Sequence, residues 1–337
     1  VPSTDRPAAG APLEPEEFQR IGRAIEAAVG EVIVGQQDAV RGILISLAAG
    51  GHVLLEGVPG LGKTTMARAF AAALGLEQRR VQFTPDLMPA DITGTTVLTQ
   101  DEGDHAELHF QPGPLFANLV LADEINRAAP RTQSALLEAM QEHTVTIGTT
   151  THALPAPFFV LATQNPVEMH GTYPLPEAEL DRFLFKLEFA FPTREELSAM
   201  VAHTAERAVD PEVAAVADAA TLVRMNELVR AVPAAAHVVD YASRLVLALH
   251  PGGEEASESV ARYVRLGPSP RGAQALALAG RAAALMDGRV NLAFEDVRAV
   301  ALPALRHRLV LSFDAERAGI SADDLVADAL ARVPTQR

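Results

Sequence analysis

The densest chemistry in the chain lies between Leu55 and Thr65, which read Leu-Glu-Gly-Val-Pro-Gly-Leu-Gly-Lys-Thr-Thr. Gly57 to Thr64 fit the spacing G-x-x-x-x-G-K-[ST] of a phosphate-binding loop. Each residue type answers a need. A polyphosphate wants many N–H donors at short range, and side chains would obstruct that approach. Glycines at 57, 60 and 62 let the backbone curl with its N–H groups turned inward. Lys63 brings a point charge to the β- and γ-phosphates, and the Thr64 hydroxyl can ligate Mg²⁺. The bland alternative is a glycine-rich turn without function. The flanks oppose it, because His52–Glu56 reads as a short buried strand and Thr65–Leu74 as a helix whose positive end meets the phosphates.

Further polar residues sit at the ends of other apolar runs. Asn118 to Ala122 form a buried strand that ends in Asp123-Glu124. Asp123 can orient Mg²⁺ through its water shell, and Glu124 can take a proton from the water that attacks the γ-phosphate. A mere nucleotide binder does not need the second carboxylate. The pair could also cap the helix that follows, but the phosphate loop upstream favours catalysis. The strand Phe158–Thr163 leads into Gln164-Asn165-Pro166, where the Asn165 amide could reach the γ-phosphate or simply form a turn before proline. Val32-Ile33-Val34-Gly35-Gln36-Gln37 could wall an adenine ring or make a plain turn between helices. Arg182 lies in Glu-Ala-Glu-Leu-Asp-Arg-Phe. It suits a salt bridge or a reach to a neighbour's γ-phosphate, and taken alone the salt bridge is the stronger reading. Arg271 follows Pro270 at a helix start, where the alternative to a functional arginine is a surface one.

The elements that must hold these residues can be read from periodicity. A helix starts near Pro15, with Phe18, Ile21, Ile25 and Ala28 on one face. A second runs from Asp38 to Ala49 and ends at Gly50-Gly51. Strands are expected at 80–83, 118–122, 158–163 and 186–189 besides the one before the phosphate loop. Two further β-prone pairs, 95–99 with 106–110 and a segment turning near Gly148, read as hairpins inserted into a parallel fold. Leu136, Leu137 and Met140 form the apolar stripe of a helix. His105 and His109 fall in the first hairpin, where a solvated face is a better reading than a metal site. Thr193 and Glu196 make a capping box. Beyond it strand signals vanish, and helices are expected at 193–208, 219–231, 238–250, 270–287 and 294–308. The expected division is a disordered tail over 1–13, an α/β nucleotide-binding core over 14–190 and a smaller all-α lid over 191–337.

Composition narrows the class. The chain has 337 residues, 48% hydrophobic and 21% charged, with a net charge of -15. The acidic balance argues against an obligate nucleic-acid binder. There are no cysteines, which excludes disulfides, thiolate metal sites and cysteine nucleophiles. No apolar run has the length of a membrane span and no signal-peptide pattern is visible, so no direct membrane insertion and a cytoplasmic location are expected.

Together these motifs resemble the MoxR family of AAA+ ATPases, in the helix-2-insert clade related to magnesium chelatase motor subunits. The resemblance runs from about residue 14 to near residue 315. Val34-Gly35-Gln36 looks like the family's adenine-side box, and Gly57–Thr64 like its Walker A loop. Leu121-Ala-Asp-Glu-Ile-Asn-Arg127, followed by Arg131-Thr-Gln-Ser-Ala-Leu-Leu-Glu-Ala-Met-Gln-Glu142, resembles its Walker B region. Ala162–Pro166 resembles sensor 1, Tyr173–Phe183 the arginine-finger segment, and Ser269-Pro270-Arg271 sensor 2. Ala128-Ala-Pro130 departs mildly, since a second proline is expected there.

The resemblance implies an α/β AAA+ P-loop core with a five-stranded parallel sheet, order 5-1-4-3-2, with β-hairpin inserts and a following all-α lid. It implies ATP and Mg²⁺ as cofactors. The nucleotide contacts it implies are Val34 and Gly35, then Pro59, Gly60, Leu61, Gly62, Lys63, Thr64 and Thr65, with Thr64 and Asp123 at the metal. Glu124 would activate water and Lys63 and Asn165 would act on the γ-phosphate. Arg182 would act in trans, and Arg271 would couple the lid to the nucleotide. Arg127 and Arg131 are further candidates at a subunit interface. The implied assembly is a homo-hexameric ring that remodels client proteins, such as metalloenzyme complexes, with a partner containing a von Willebrand factor A domain. A nucleic-acid motor is the first alternative, which basic hairpin tips would support. Neither Asp101-Glu-Gly-Asp104 nor Ile147-Gly-Thr149 is basic. An ATP-bound switch without turnover is the second, and Glu124 speaks against it.

Overall fold

Four short apolar runs, each ending in a polar residue, are the signature of strands buried on both faces of a parallel sheet, and the polar Gln78–Gln82 pairs at its edge. The computed structural model describes residues 12–100, 106–166, 171–206 and 213–335. The expected tail up to Ala11, the first hairpin tip and His105 lie outside those residues. Helices α1 (Pro15–Gly30) and α2 (Gln37–Ala49) precede strand β1 (His52–Glu56), helix α3 (Lys63–Ala73) and strand β2 (Gln78–Gln82). A short helix α4 (Pro89–Thr93) opens a hairpin of β3 (Gly94–Gln100) and β4 (Ala106–Pro112). Then come β5 (Leu119–Asp123), α5 (Pro130–Glu142), a second hairpin of β6 (Thr144–Ile147) and β7 (Thr150–Ala153), β8 (Phe159–Gln164), α6 (Glu177–Leu180) and β9 (Phe183–Glu188).

The sheet order is β2-β5-β8-β1-β9, with every pairing parallel. With these five strands numbered in chain order and read from β9, this is the expected 5-1-4-3-2. Alternate residues face opposite layers. Val53, Leu55, Leu119, Leu121 and Leu161 join the cluster under α1, α2 and α3. Leu54, Val120, Ala122, Val160 and Ala162 join a second cluster with Leu136, Leu137 and Met140 of α5. β9 begins at Phe183, earlier than the expected 186. Phe183 pairs with His52, and the apolar run Phe183-Leu184-Phe185 is buried along β1, which draws it into the sheet.

Both hairpins form outside the main sheet. Gly94 and Gly113 close the base of the first. A Cβ on Gly113 would lie 2.4 Å from the Gly94 nitrogen, so the two backbones can approach only as glycines. The hairpins meet where Phe110 of β4 stacks on His152 of β7 with ring centroids 4.0 Å apart.

After β9 the chain is helical: α7 (Arg194–Glu206), α8 (Ala219–Ala231), α9 (Ala236–Ala248), α10 (Glu258–Tyr263), α11 (Pro270–Met286), α12 (Phe294–Leu305), α13 (Phe313–Ala318) and α14 (Ala322–Arg332). The capping box forms as expected: the Thr193 amide donates to Glu196 Oε2 at 2.8 Å, and the Glu196 amide donates to Thr193 Oγ1 at 3.2 Å. One small addition to the expected all-helical lid is a ribbon of β10 (Val264–Leu266) and β11 (Val310–Leu311). Two and three residues are too short to leave a period in sequence. The helical part packs broadly on the core, since α8 and α11 lie against α2 and one apolar cluster runs through both. Leu13, placed by the sequence reading in the tail, is 4% exposed and belongs to that cluster.

Candidate active site

Strand register gathers the site. In adjacent parallel strands Gln82 pairs with Asp123, Ala122 with Ala162, and Glu56 with Gln164. The carboxyl ends of β2, β5, β8 and β1 therefore lie in one row, the edge where open parallel sheets bind ligands. Gly57 leaves β1 there and its amide donates to the Gln164 carbonyl at 3.3 Å.

The glycine loop follows at once. Gly60 and Gly62 have φ of 85° and 84°, in the left-handed region. No atom lies within 4 Å of a Cβ built on either, so the space in front of the loop is open. Gly57 is closed behind, where a Cβ would meet that of Phe189 at 2.8 Å. Leu61 is buried and anchors the loop. Lys63 and Thr64 open α3, whose unsatisfied amides face the same space. Lys63 donates to the Gly57 carbonyl at 2.5 Å. Burial pushes its ammonium below the ordinary lysine range, and the carboxylates of Asp123, Glu124 and Glu56 act in the opposite sense. This cradle fits a polyphosphate: open in front, rimmed by amides and carrying one cation.

Asp123 and Glu124 are wired together by a residue that sequence reasoning passed over. Thr163 is 1% exposed on β8. Its hydroxyl donates to Asp123 Oδ1 at 2.6 Å and accepts from the Glu124 amide at 2.8 Å. Glu124 itself has φ 57° and ψ 50°, a left-handed conformation that costs a non-glycine residue roughly 1–2 kcal/mol. Its carboxylate accepts from Gln82 Nε2 at 2.8 Å and from Arg127 Nη1 at 3.2 Å. Arg80 Nη2 donates to Asp123 Oδ2 at 2.7 Å. Gln82 and Arg80 were also missed. Both flank the buried Val81, and only register with β5 reveals what they face. Asn165 is buried one residue beyond β8, at the same edge.

Val34-Gly35-Gln36 joins α1 to α2 and lies against the start of α7. Gly35 has φ 71° and is covered by Glu196, whose Oε1 would lie 2.6 Å from a Cβ there. Gln36 Nε2 donates to the Ala190 carbonyl at 2.9 Å.

Arg182 and Arg271 are elsewhere. Arg182 precedes Phe183, the partner of the first residue of β1, and so stands at the amino edge of the sheet. About one strand length, roughly 15 Å, separates that edge from the carboxylates. The Arg182 Nε is buried and has no hydrogen-bond partner among the described residues. Arg271 Nη1 lies 3.8 Å from Asp181 Oδ2, on the Arg182 side. Lys63, Asp123, Glu124 and Asn165 are thus brought together, and the two arginines form a separate group. Arg131 is exposed at the start of α5. Among the described residues no group of three or more His, Asp or Glu side chains could hold a metal ion by itself, and no helix is long and apolar enough to cross a membrane.

Comparison with known proteins agrees with this geometry. The profile of the ATPase family associated with various cellular activities (AAA) matches residues 52–185, and that of the AAA lid domain matches residues 256–329. YeaC of Bacillus subtilis, a protein without a characterised role, is 42% identical over 94% of this chain and 96% of its own length. The chaperone MoxR1 of Mycobacterium tuberculosis is 41% identical over 96% of this chain and 85% of its own length. A crystal structure from Cytophaga hutchinsonii, an ATPase by assignment only, superposes with a TM-score of 0.88 at 37% identity, covering 95% of this chain and 96% of that one.

Proposed function

The chain belongs to the MoxR family of AAA+ ATPases and hydrolyses ATP, and we propose that it does so as a ring in which each site is completed by the next subunit, to remodel client proteins. The observation that carries this is the pairing of a left-handed Glu124, held by Thr163, with an open phosphate loop on one sheet edge, while Arg182 stands on the other. Glu124 is then the base that takes the proton of the attacking water, with Gln82 and Arg127 fixing its carboxylate. Lys63 and the α3 amides bind the β- and γ-phosphates, and Asn165 orients the γ-phosphate or the water. Val34 and Gly35 would wall the adenine ring, and Pro59 to Thr65 would wrap the phosphates.

Thr64 and Asp123 would hold Mg²⁺, since both are oxygen donors at the mouth of the open cradle. The ion supplies charge neutralisation on the phosphate oxygens when bound. Arg182 cannot serve its own subunit across a strand length, which supports an action in trans. The ion pair of Arg271 with Asp181 places it with Arg182 and supports the same direction. A trans arginine calls for a closed ring, and a hexamer is the proposed form.

Leu98 and Leu108 support a client role for the first hairpin. They are cross-strand partners, 65% and 70% exposed, and make an apolar pair without cover in the monomer. Maturation of metalloenzyme complexes, with a von Willebrand factor A domain partner, is proposed from the family resemblance.

The test measures ATPase rate per subunit against protein concentration, with particle mass on the same samples, for wild type and Glu124→Gln. A rate that rises with a hexamer peak, and a variant that holds ATP without turnover, support the proposal. Full turnover by a monomer refutes the shared site.

A further inference from the structure

Arg308 is 3% exposed in its side chain, and the ATPase reading gives it no task. It lies in the short turn after α12, and almost every donor it has is spent on the segment around Arg182. Its Nε donates to Asp181 Oδ1 at 2.8 Å. Its Nη2 donates to the Asp181 carbonyl at 3.0 Å and the Phe183 carbonyl at 2.7 Å. Its Nη1 donates to the Leu184 carbonyl at 3.2 Å and also meets the Ala304 carbonyl. One guanidinium therefore grips the backbone on both sides of Arg182. Arg182 itself keeps a buried Nε with no hydrogen-bond partner among the described residues.

Asp181 is held from a second direction. Ser269, the N-cap of α11, donates its hydroxyl to Asp181 Oδ2 at 2.6 Å while accepting from the Arg271 amide at 3.1 Å. Arg271 reaches the same Oδ2 only at 3.8 Å and is half exposed, so it is the loosest of the three partners. His307 closes the back of the cluster, with its Nε2 3.0 Å from the Phe183 carbonyl and 2.9 Å from Arg308 Nη1. One ring nitrogen can serve only one of those at a time. Burial and the Arg308 charge push this imidazole well below the ordinary histidine range, so it is neutral and adds no charge to the clamp.

We propose that Asp181 and Arg308 are positioning residues for Arg182, through which the helical lid of one subunit sets the aim of the arginine it offers to its neighbour's ATP. The proposal rests on the reading of Arg182 as an arginine acting in trans. Its physical content is order. A long side chain delivers its charge to a phosphate only if its Cα is fixed, and a misplacement of about 1 Å can cost on the order of a hundredfold in rate. Ties on residues 181, 183 and 184 from one rigid, planar fork fix that Cα to the lid. Lysine could not do this, having a single ammonium in place of the fork. Any lid movement that accompanies a change at Ser269 or Arg271 is then carried to Arg182 through a single carboxylate.

The test uses Asp181→Asn, Ser269→Ala and Arg308→Lys in the full chain, each checked for thermal midpoint and ring mass so that only assembled rings are compared. For Asp181→Asn the expected result is nucleotide affinity within about twofold of wild type and a rate about ten- to a hundredfold lower. In an Arg182→Ala background the same substitution should add no further loss, because its target is already gone. Mixed rings of Asp181→Asn and Glu124→Gln subunits should regain hydrolysis, since each subunit type supplies what the other lacks. An equal loss from Asp181→Asn with and without Arg182 overturns the proposal, as does a loss that tracks weakened nucleotide binding. If Arg182→Ala is rescued by Glu124→Gln but Asp181→Asn is not, the clamp fails and the trans arginine stands. If neither is rescued in assembled rings, the trans reading itself has failed and the clamp falls with it. Should Arg308→Lys not fold, Asp181→Asn and Ser269→Ala carry the same comparisons.

Discussion

Replacing Thr163 with valine keeps the shape of a fully buried side chain and removes one hydroxyl. That hydroxyl serves both carboxylate residues of the site, as donor to Asp123 Oδ1 at 2.6 Å and as acceptor from the Glu124 amide at 2.8 Å. The bond to Asp123 is charge-assisted, about 1.5–3 kcal/mol, and the bond from a neutral amide is about 0.5–1.5 kcal/mol, so the variant loses about 2–4 kcal/mol of local stabilisation. The loss falls where it matters for turnover. Glu124 is held against its own backbone preference at φ 57°, and the Thr163 bond is one of the contacts keeping it there. With that bond gone, Glu124 relaxes toward ordinary dihedrals and its carboxylate leaves Gln82 and Arg127. The glycine loop, Lys63 and Thr64 are untouched. Steady-state ATPase kinetics should therefore show kcat falling about tenfold to a hundredfold, while a fluorescent nucleotide binds within a few-fold of wild type. Thr163→Ser restores the hydroxyl and should recover most of the rate. A Thr163→Val enzyme that melts earlier yet turns over at the wild-type rate per folded subunit would refute the claim that Thr163 holds the base. A loss confined to nucleotide affinity would refute it too.

Other outcomes follow from single features of the site and core. Glu124→Gln keeps the contacts of the side chain but cannot take a proton, and should retain ATP with turnover down by roughly a hundredfold or more, read in a single-turnover assay. Gly62→Ala meets no atom within 4 Å but must adopt φ near 84°, so folding should lose only about 1–2 kcal/mol. Nucleotide affinity should fall far more, as measured by titration with and without Mg²⁺, and an unchanged affinity would contradict a phosphate-cradling role. His52 is buried, accepts from the Val160 amide on Nδ1 at 3.1 Å and meets the Met140 carbonyl through Nε2 at 3.0 Å, so it is neutral with the proton on Nε2. Burial pushes it down to about 4 from an ordinary 6.5. The unfolded chain thus binds the proton more readily, and stability is complete above pH 6.5 and declines as pH falls toward 4. His52 alone should remove about 1.6 kcal/mol between pH 6.5 and pH 5, seen as a falling midpoint in thermal melts and as proton uptake on unfolding. A flat profile over that window would show that His52 charges freely in the fold.

Much of this arrangement was legible because its signals are local. The glycine loop, the Asp-Glu pair and the strand before each follow from spacing in a few residues, and the sheet order followed once the family was recognised in them. What escaped depends on register or on distant contact. Thr163 reads in sequence as one more β-branched strand residue. Its hydroxyl acquires a role only when β8 is laid beside β5 so that Ala162 meets Ala122. Gln82 and Arg80 are hidden in the same way. Arg306-His307-Arg308 reads as a basic helix end favoured by the dipole. In the fold Arg306 instead pairs with Asp323 at 2.5 Å, and Arg308 is buried against Asp181. A contact between positions 181 and 308 leaves no pattern in a single chain. β10 and β11 were invisible for a simpler reason, being too short for an alternation to repeat.

The division of the site between two edges has a geometric cause. In a parallel sheet every strand delivers its carboxyl end to the same side, so a phosphate loop after β1 and an acidic pair after β5 must be neighbours. Arg182 enters at the amino end of β9, so the same rule that unites the carboxylates excludes it from them. No rotamer of a side chain overcomes a strand length of about 15 Å. On the proposed reading a subunit built this way holds a base and a phosphate cradle on one face, and on the other Arg182, with Arg271 loosely paired to Asp181. Two such faces would each supply what the other lacks, and head-to-tail contact between identical copies gives a ring where the rotation closes. On the proposed reading the ring is therefore a consequence of strand polarity, and hydrolysis reports on how well one lid, through Asp181 and Arg308, aims its arginine at the next subunit's ATP.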